Sequence, residues 1–182
     1  GCAEGSVVLA LQSCMEVTHA PPDAAALLAR AEARARRGEI ALLANLADDR
    51  VYLFSGTADA TVRPPVVAAA AEFYRLAAVP ETQIELVDDM PAGHAFITED
   101  AGNPCALTDP PYINDCDYDQ AGALLTHIYG ELVPPSEPLG RIIEFDQTEF
   151  LPNPTTHGLA QTGFAYVPQS CAEIGGCLVH VA

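Results

Sequence analysis

The chain has 182 residues, of which 49% are hydrophobic, and it carries a formal net charge of −17 at pH 7. It is long enough for one domain with a sizeable core. Because every basic residue is an arginine and these are few, the chain lacks the basic surface that binds phosphates, and nucleic acid is not an expected partner. No apolar run approaches the ~20 residues of a membrane-spanning helix, so no membrane span is expected either.

The cysteines point to an oxidising compartment. They fall into three pairs that are close in sequence, namely Cys2 with Cys14, Cys105 with Cys116, and Cys171 with Cys177. No pair has the C-x-x-C spacing of zinc or redox sites. Three local disulfides, and therefore an extracellular or periplasmic protein, are the simplest interpretation. The alternative is six reduced, buried thiols in a cytosolic protein.

The first predicted helix runs from about Ala24 to Arg37. Asp23 is a suitable N-cap residue, and Gly38 is suited to the position just past the C-terminus. Basic residues in the last turn favour the negative end of the helix dipole.

Residues 51–87 read as strand, helix and strand. Short apolar strands are predicted at 51–54 and 84–87, and a helix that begins near Pro64 joins them, since proline is tolerated in a first turn. Two strands joined by a helix of this length form a βαβ crossover, which predicts a parallel sheet.

Residues 99–120 are expected to form a polar loop, followed by a helix capped by Asp117 or Asp119 and closed by Gly130. Residues 133–138 are rich in proline and resemble a linker.

The last forty residues have a different pattern from the rest. Apolar and β-branched runs predict three strands separated by turns, at 141–146, 163–167 and 178–182.

Two polar residues occupy equivalent places beside the predicted parallel strands. Asp59 lies in the turn after the first strand, and His94 lies in the loop after the second. In α/β-hydrolases the acid and the histidine of the catalytic triad follow strands in this order, downstream of a serine on a G-x-S-x-G turn. The sequence contains no such turn, so two members of a triad are predicted and the third is not found.

Simpler roles are open for the same residues. Asp59 could serve only its turn, and His94 could be an ordinary loop histidine. Asp88 and Asp89 are nearer to His94 in sequence and are rival partners, although their position suggests the end of a strand.

Asp115, Asp117 and Asp119 stand at alternate positions, as in part of a calcium loop. The sixth and twelfth positions are Gln120 and Thr126, where a calcium loop needs glycine and glutamate. Helix capping is the favoured interpretation, and neither a metal nor a cofactor is predicted.

The remaining histidines and serines show no catalytic pattern. The histidines lack ligand spacing and are assigned structural roles: His19, His127, His157 and His180. The serines lack the glycine-flanked turn of a nucleophile: Ser6, Ser13, Ser55, Ser136 and Ser170.

Taken together, several stretches resemble the extracellular poly(3-hydroxybutyrate) depolymerases, serine esterases with a circularly permuted α/β-hydrolase fold. The matching stretches are 2–15, 46–56, 93–96, 111–122 and 143–147. They span nearly the whole chain and are specific in combination, although each alone is weak.

The resemblance implies an incomplete α/β-hydrolase catalytic domain over residues 1–182. Its acid and histidine part would be 1–132, and 139–182 would supply the strands that a permuted chain places after the histidine. The family's nucleophilic serine would precede Gly1, and its oxyanion-hole segment would follow Ala182. The chain is thus expected to be the middle of an enzyme whose flanking segments are its partners, and to be inactive alone.

The resemblance also implies a reaction and a substrate. Asp59 and His94 would be catalytic, and the substrate would be poly(3-hydroxybutyrate) or a short-chain 3-hydroxyalkanoate ester, hydrolysed through an acyl-enzyme. Tyr112 and Ile113 could line a hydrophobic ester cleft, or could pack at the surface. The alternative function is a secreted, disulfide-braced binding module without catalysis, in which Asp59 and His94 would not be hydrogen-bonded.

Overall fold

The computed structural model describes residues 2–18, 20–132, 140–151 and 159–181. His19, His157, Ser136 and the linker-like stretch at 133–138 therefore lie outside the described residues. The chain divides into two compact units, Gly1–Leu132 and Val133–Ala182. The assignment of residues 1–132 and 139–182 to two parts of one catalytic domain stays a prediction.

The described residues form a mixed α/β structure. The helices are α1 (Val7–Gln12), α2 (Ala24–Arg36), α3 (Pro64–Leu76), α4 (Gln120–Tyr129) and α5 (Gln169–Ile174). The strands are β1 (Val51–Phe54), β2 (Ile84–Val87), β3 (Phe96–Thr98), β4 (Asn103–Pro104), β5 (Ile113–Asp115), β6 (Gly140–Asp146) and β7 (Thr162–Pro168). Short 3-10 helices span Leu43–Asp48, Glu81–Gln83 and Gln147–Phe150.

The predicted βαβ crossover is confirmed in the first unit. Strands β1 and β2 are parallel, with Val51 opposite Ile84 and Phe54 opposite Val87. Helix α3 connects them and begins with two prolines in its first turn. Parallel strands have their carboxyl ends at the same edge, so the segments that follow β1 and β2 start side by side.

The two predicted helix caps are present. The Asp23 carboxylate accepts a hydrogen bond of 3.0 Å from the Ala26 amide at the start of α2. At the start of α4 the cap is Asp119, which accepts from the Gly122 amide at 2.8 Å. Each carboxylate satisfies one of the amides that a helix leaves unpaired in its first turn.

The prediction of a polar loop over residues 99–120 was wrong in part. Strands β3, β5 and β4 form a parallel three-stranded sheet in that order. Asn114 of the central strand lies opposite Ile97 on one side and Asn103 on the other. Strands of two or three residues are too short to show an alternating pattern, which is why the sequence did not reveal them.

The apolar run near the N-terminus is helical. Helix α1 has Ser6 as its N-cap, whose side chain accepts from the Leu9 amide. The cysteines on either side of it, Cys2 and Cys14, are joined by a disulfide. The other two predicted pairs, Cys105–Cys116 and Cys171–Cys177, are also bonded, so the disulfide prediction is confirmed.

The second unit contains an antiparallel pair. Strands β6 and β7 pair from Gly140 opposite Pro168 to Asp146 opposite Thr162, as the sequence predicted for two of three strands. The third prediction was wrong, because residues 178–181 form no strand. A β-branched run becomes a strand only when another backbone pairs with it, and no described strand lies beside this one.

Candidate active site

Asp59 lies in a turn that the loop after β2 holds in place. The amides of Ser55 and Thr57 donate to the carbonyls of Val87 and Met90 at 2.8 and 2.7 Å. The Ala58 amide continues this pairing and donates to the Ala92 carbonyl at 3.1 Å. The segments after the two strands are therefore fastened together beyond the end of the sheet, which fixes the backbone on both sides of the site.

Both oxygens of the Asp59 carboxylate have hydrogen-bond partners. Its Oδ1 accepts from the amides of Thr61 and Val62 at 2.8 and 2.9 Å. Its Oδ2 lies 2.9 Å from Nδ1 of His94. The Asp59 side chain is only 10% exposed. The turn role that the sequence left open is thus real, and the same carboxylate also contacts the histidine.

The backbone of His94 is held from the opposite side by the segment between β4 and β5. The Gly93 amide donates to the Cys105 carbonyl at 2.8 Å. The His94 amide donates to Oγ1 of Thr108, also at 2.8 Å. Two adjacent peptide groups are thereby fixed, and they set the position from which the His94 side chain extends to Asp59.

The Asp59–His94 contact determines which ring nitrogen can act as a base. A carboxylate oxygen only accepts, so the hydrogen bond requires the proton on Nδ1. In the neutral ring the lone pair then lies on Nε2. Within the described residues Nε2 has no hydrogen-bond partner, and the His94 side chain is 43% exposed. The contact therefore fixes the orientation of a ring that is partly open to solvent.

Two glycines allow the close approach of these segments. A Cβ on Gly56 would overlap the carbonyl oxygen of Ala92, and a Cβ on Gly93 would overlap that of Leu107. Neither glycine has a positive φ angle. Space, rather than backbone conformation, makes glycine necessary at both positions.

The rival carboxylates do not take part in this contact. Asp88 and Asp89 are exposed, and in the described part of the chain the carboxylate bonded to His94 is that of Asp59. Asp59 is the farther residue in sequence, but the parallel pairing of β1 and β2 brings it next to His94.

His127 forms a second histidine–carboxylate pair with different surroundings. Its Nδ1 lies 3.0 Å from the Glu85 carboxylate, and its Nε2 lies 2.9 Å from the Gln83 carbonyl. Both ring nitrogens therefore face groups of the protein itself, and the ring is only 11% exposed. The ring fastens α4 to the start of β2, which agrees with the structural role assigned to it.

Ile113 is the first residue of β5, Tyr112 precedes it, and both are exposed. The Tyr112 carbonyl accepts from the Phe96 amide at 2.8 Å, which joins this segment to the one that follows His94. Their surfaces are thus open to solvent, and their role in a substrate cleft stays a prediction.

The acidic residues around Cys116 serve local structure. The Asp115 side chain accepts from the Asp117 amide at 3.3 Å, and Asp119 caps α4. Among the residues that the structure describes, no group of three or more His, Cys, Asp or Glu is arranged to hold a metal ion. Likewise, no described helix is long and apolar enough to span a membrane.

Sequence reasoning missed the residues that support His94. Thr108 accepts from the His94 amide, and Asn114, which is fully buried, donates to the carbonyls of Cys105 and Leu107 at 2.8 and 2.6 Å. Gln120 accepts from the amide of Ile97 at 2.8 Å. These contacts involve backbone groups, which leave no trace in a pattern of side chains.

The fold and the site define an α/β protein with disulfide bonds and a hydrogen-bonded Asp–His pair beyond two parallel strands. No protein-family model matches the chain. It is 42% identical to the poly(3-hydroxybutyrate) depolymerase of Delftia acidovorans over 186 aligned residues. It is 36% identical to the polyhydroxybutyrate depolymerase of Talaromyces funiculosus over 154.

Solved structures agree. The PHB depolymerase from Penicillium funiculosum superposes with a TM-score of 0.82 at 31% identity, over 97% of this chain. A PHB depolymerase variant complexed with an R3HB trimer gives the same values. The chain is therefore homologous to poly(3-hydroxybutyrate) depolymerases along nearly its whole length, which confirms the resemblance seen in the sequence.

The homology covers only part of those proteins. The chain corresponds to 36% and 43% of the two curated relatives and to 54% of each solved chain. Structural similarity to these proteins supports the mixed α/β architecture expected from the sequence.

Proposed function

We propose that this chain supplies the acid and the base of a serine esterase that hydrolyses poly(3-hydroxybutyrate) or short-chain 3-hydroxyalkanoate esters. Asp59 is the acid, His94 is the base, and a serine outside these 182 residues is the nucleophile. The observation that carries the proposal is the 2.9 Å contact between Oδ2 of Asp59 and Nδ1 of His94, with Nε2 left without a described partner.

The proposed reaction has two acyl-transfer steps. His94 Nε2 takes the serine hydroxyl proton as the oxygen attacks the ester carbonyl, and returns it to the alcohol oxygen that leaves. His94 then takes a proton from water, which attacks the acyl-serine, and returns that proton to the serine oxygen as the acid departs. Asp59 orients the ring and stabilises the imidazolium in both steps, because its carboxylate faces Nδ1 throughout.

The substrate class is supported by the relatives' names and by chemistry. An aliphatic polyester is neutral, so it needs no positive surface for attraction, and the net charge of −17 presents no obstacle to it. Tyr112 and Ile113 are proposed to contact the apolar part of the ester, since both are exposed on the segment bonded to Phe96.

The location and architecture are proposed on the same basis. Three disulfides support an extracellular or periplasmic protein, because such bonds persist where thiols are oxidised. We further propose that residues 1–182 form part of one circularly permuted α/β-hydrolase domain, completed by the nucleophile and oxyanion-hole segments.

The test is fluorophosphonate labelling of the protein isolated from its native source, followed by mass measurement and identification of the labelled peptide. We expect a labelled serine in the same polypeptide, outside residues 1–182. An unlabelled protein whose mass equals that of this chain would overturn the proposal and favour a non-catalytic binding module.

The isolated chain provides a second test. We expect recombinant 1–182 not to hydrolyse p-nitrophenyl butyrate, since the covalent step needs the missing serine. Hydrolysis that disappears on His94→Ala would show that a residue within the chain acts as nucleophile.

A further inference from the structure

We propose that Asn114 is a positioning residue for His94, and that it acts by holding the segment 105–108 against the histidine's backbone. The inference deepens the proposed function, on which it rests, because it assigns the group that keeps the base in place. Asn114 touches neither the imidazole nor Asp59 in the hydrogen bonds that the structure describes.

The first step of the argument is the burial of a polar side chain. Asn114 is fully buried in the central strand β5. Its Nδ2 donates to the carbonyls of Cys105 and Leu107, at 2.8 and 2.6 Å. Its Oδ1 is buried without a partner among the described residues. Burying an amide oxygen without a hydrogen bond is costly. A position that served only packing would therefore favour an apolar residue over asparagine.

The second step connects the amide to His94. The Cys105 carbonyl that accepts from Asn114 also accepts from the Gly93 amide. One residue past the other accepting carbonyl, Thr108 Oγ1 accepts from the His94 amide. The two hydrogen bonds of Asn114 therefore fix the segment that supplies both acceptors to residues 93 and 94.

The third step is the orientation of the amide. Both neighbouring groups are carbonyl oxygens, which only accept, so the NH₂ group must face them and the oxygen must face away. The unpartnered Oδ1 is a consequence of this orientation. A disulfide between Cys105 and Cys116 constrains the same segment from its other side.

Asn103 provides a matched control. It lies opposite Asn114 in the neighbouring strand β4, and its Nδ2 also faces two backbone carbonyls, those of Asp109 at 2.9 Å and Pro110 at 3.4 Å. Those carbonyls lie beyond Thr108 and contact neither Gly93 nor His94. Replacing either asparagine by alanine removes amide donors from the same sheet, but only one of them supports the histidine.

The experiment is a nitrogen-15 NMR measurement of the histidine rings in the full 182-residue chain, with His94 assigned by His94→Ala. In the wild-type chain we expect the Nδ1–H tautomer and a slowly exchanging Nδ1 proton. Asn114→Ala should accelerate that exchange by several-fold to about tenfold, the value of one or two hydrogen bonds in a local equilibrium, and shift the ring toward the Nε2–H tautomer. Asn103→Ala should leave both signals unchanged.

Three results would overturn the proposal: an unchanged His94 signal in Asn114→Ala, equal changes in the two alanine variants, or no fixed Nδ1–H in the wild type. If Asn114→Ala does not fold, variants of the exposed Thr108, which accepts from the His94 amide, test the role of the segment instead. Thr108→Val, which lacks the hydroxyl, should accelerate the exchange of the Nδ1 proton, and Thr108→Ser, which keeps it, should exchange at the wild-type rate. A wild-type signal in Thr108→Val would refute the role of the segment. Because no reading depends on ester hydrolysis, failure of the proposed esterase function would be seen separately.

Discussion

The two histidine–carboxylate pairs of the first unit have nearly the same geometry and opposite environments. His94 lies 2.9 Å from Asp59, and His127 lies 3.0 Å from Glu85. In the first pair the acid is 10% exposed and the ring 43%; in the second the ring is 11% exposed and the acid 44%.

The difference shows that two histidine–carboxylate pairs of similar length can suit different roles. A buried carboxylate can hold one nitrogen while the other faces solvent, where a reacting group can approach. A ring that is 11% exposed, with protein acceptors beside both nitrogens, connects two elements and leaves little room for a reacting group. A short histidine–carboxylate distance alone therefore does not identify a catalytic pair.

If the proposed function holds, the largest effect is expected from exchanging the histidines for alanine in the proposed serine-containing enzyme. His94→Ala should lower kcat for ester hydrolysis by about 10⁴-fold or more, as loss of a triad histidine does elsewhere. His127→Ala should leave kcat close to the wild-type value and lower thermal stability instead. Steady-state kinetics and a melting curve on both variants check this, and similar kcat losses would remove the distinction between the pairs.

A smaller loss is expected when the acid is changed. Asp59→Asn should reduce kcat by roughly 10³–10⁴-fold with little change in KM, because an amide no longer fixes the Nδ1–H tautomer. Glu85→Gln in the second pair is the control and should retain activity. Comparable kcat values for Asp59→Asn and wild type would show that Asp59 serves only its turn.

The raised pKa of Tyr52, a neighbour of His127, predicts that the stability of the folded chain depends on pH. Tyr52 lies near His127 and shares a 3.0 Å hydrogen bond with Tyr118. Burial, with the hydrogen bond to Tyr118 and nearby charges, raises the pKa of Tyr52 well above its usual value. The unfolded chain releases this proton above about pH 10 while the folded chain keeps it, so the contribution to stability is full below that pH and falls as the pH rises.

Melting temperatures at about pH 8 and about pH 11 measure this effect. Tyr52→Phe should show a smaller decrease between the two than the wild type, since phenylalanine has no proton to lose. An identical decrease in both proteins would assign the alkaline sensitivity to other groups.

The smallest effect is expected from the exposed acid of the second pair. Glu85→Gln should cost under about 1 kcal/mol of unfolding free energy, because water screens a half-exposed carboxylate. Urea denaturation provides the value, and Glu81→Gln, which weakens the exposed pair with Arg75, is a matched comparison. A loss of several kcal/mol for Glu85→Gln would mean that the ion pair, rather than the ring's burial, holds α4 in place.

The sequence predicted the elements whose side-chain pattern extends over many residues and missed those that are only two or three residues long. The strand–helix–strand order placed Asp59 and His94 beyond neighbouring parallel strands, and the structure brings them into contact. The short sheet around Asn114 was missed because its strands are too short for periodicity. The run at 178–182 has the side-chain pattern of a strand, but strand formation depends on a partner backbone, and residues 178–181 form no strand.

The role of Asn114 and Thr108 could not be read from the sequence for a related reason. Their contacts are with main-chain groups: Asn114 donates to the carbonyls of Cys105 and Leu107, and Thr108 accepts from the His94 amide. Polar residues in a polar stretch give no signal of which backbone they will meet.

The crowding at Gly56 and Gly93 has an evolutionary consequence. Each site excludes even a methyl group on steric grounds, so purifying selection would act on both without either one meeting a substrate. A saturation-mutagenesis map of this region would therefore score them as intolerant as His94. Shortening the opposing residue would not rescue a substitution: Ala92→Gly, for example, leaves in place the carbonyl oxygen that a Cβ on Gly56 would overlap. Both glycines are therefore expected to stay fixed in any lineage that keeps this arrangement.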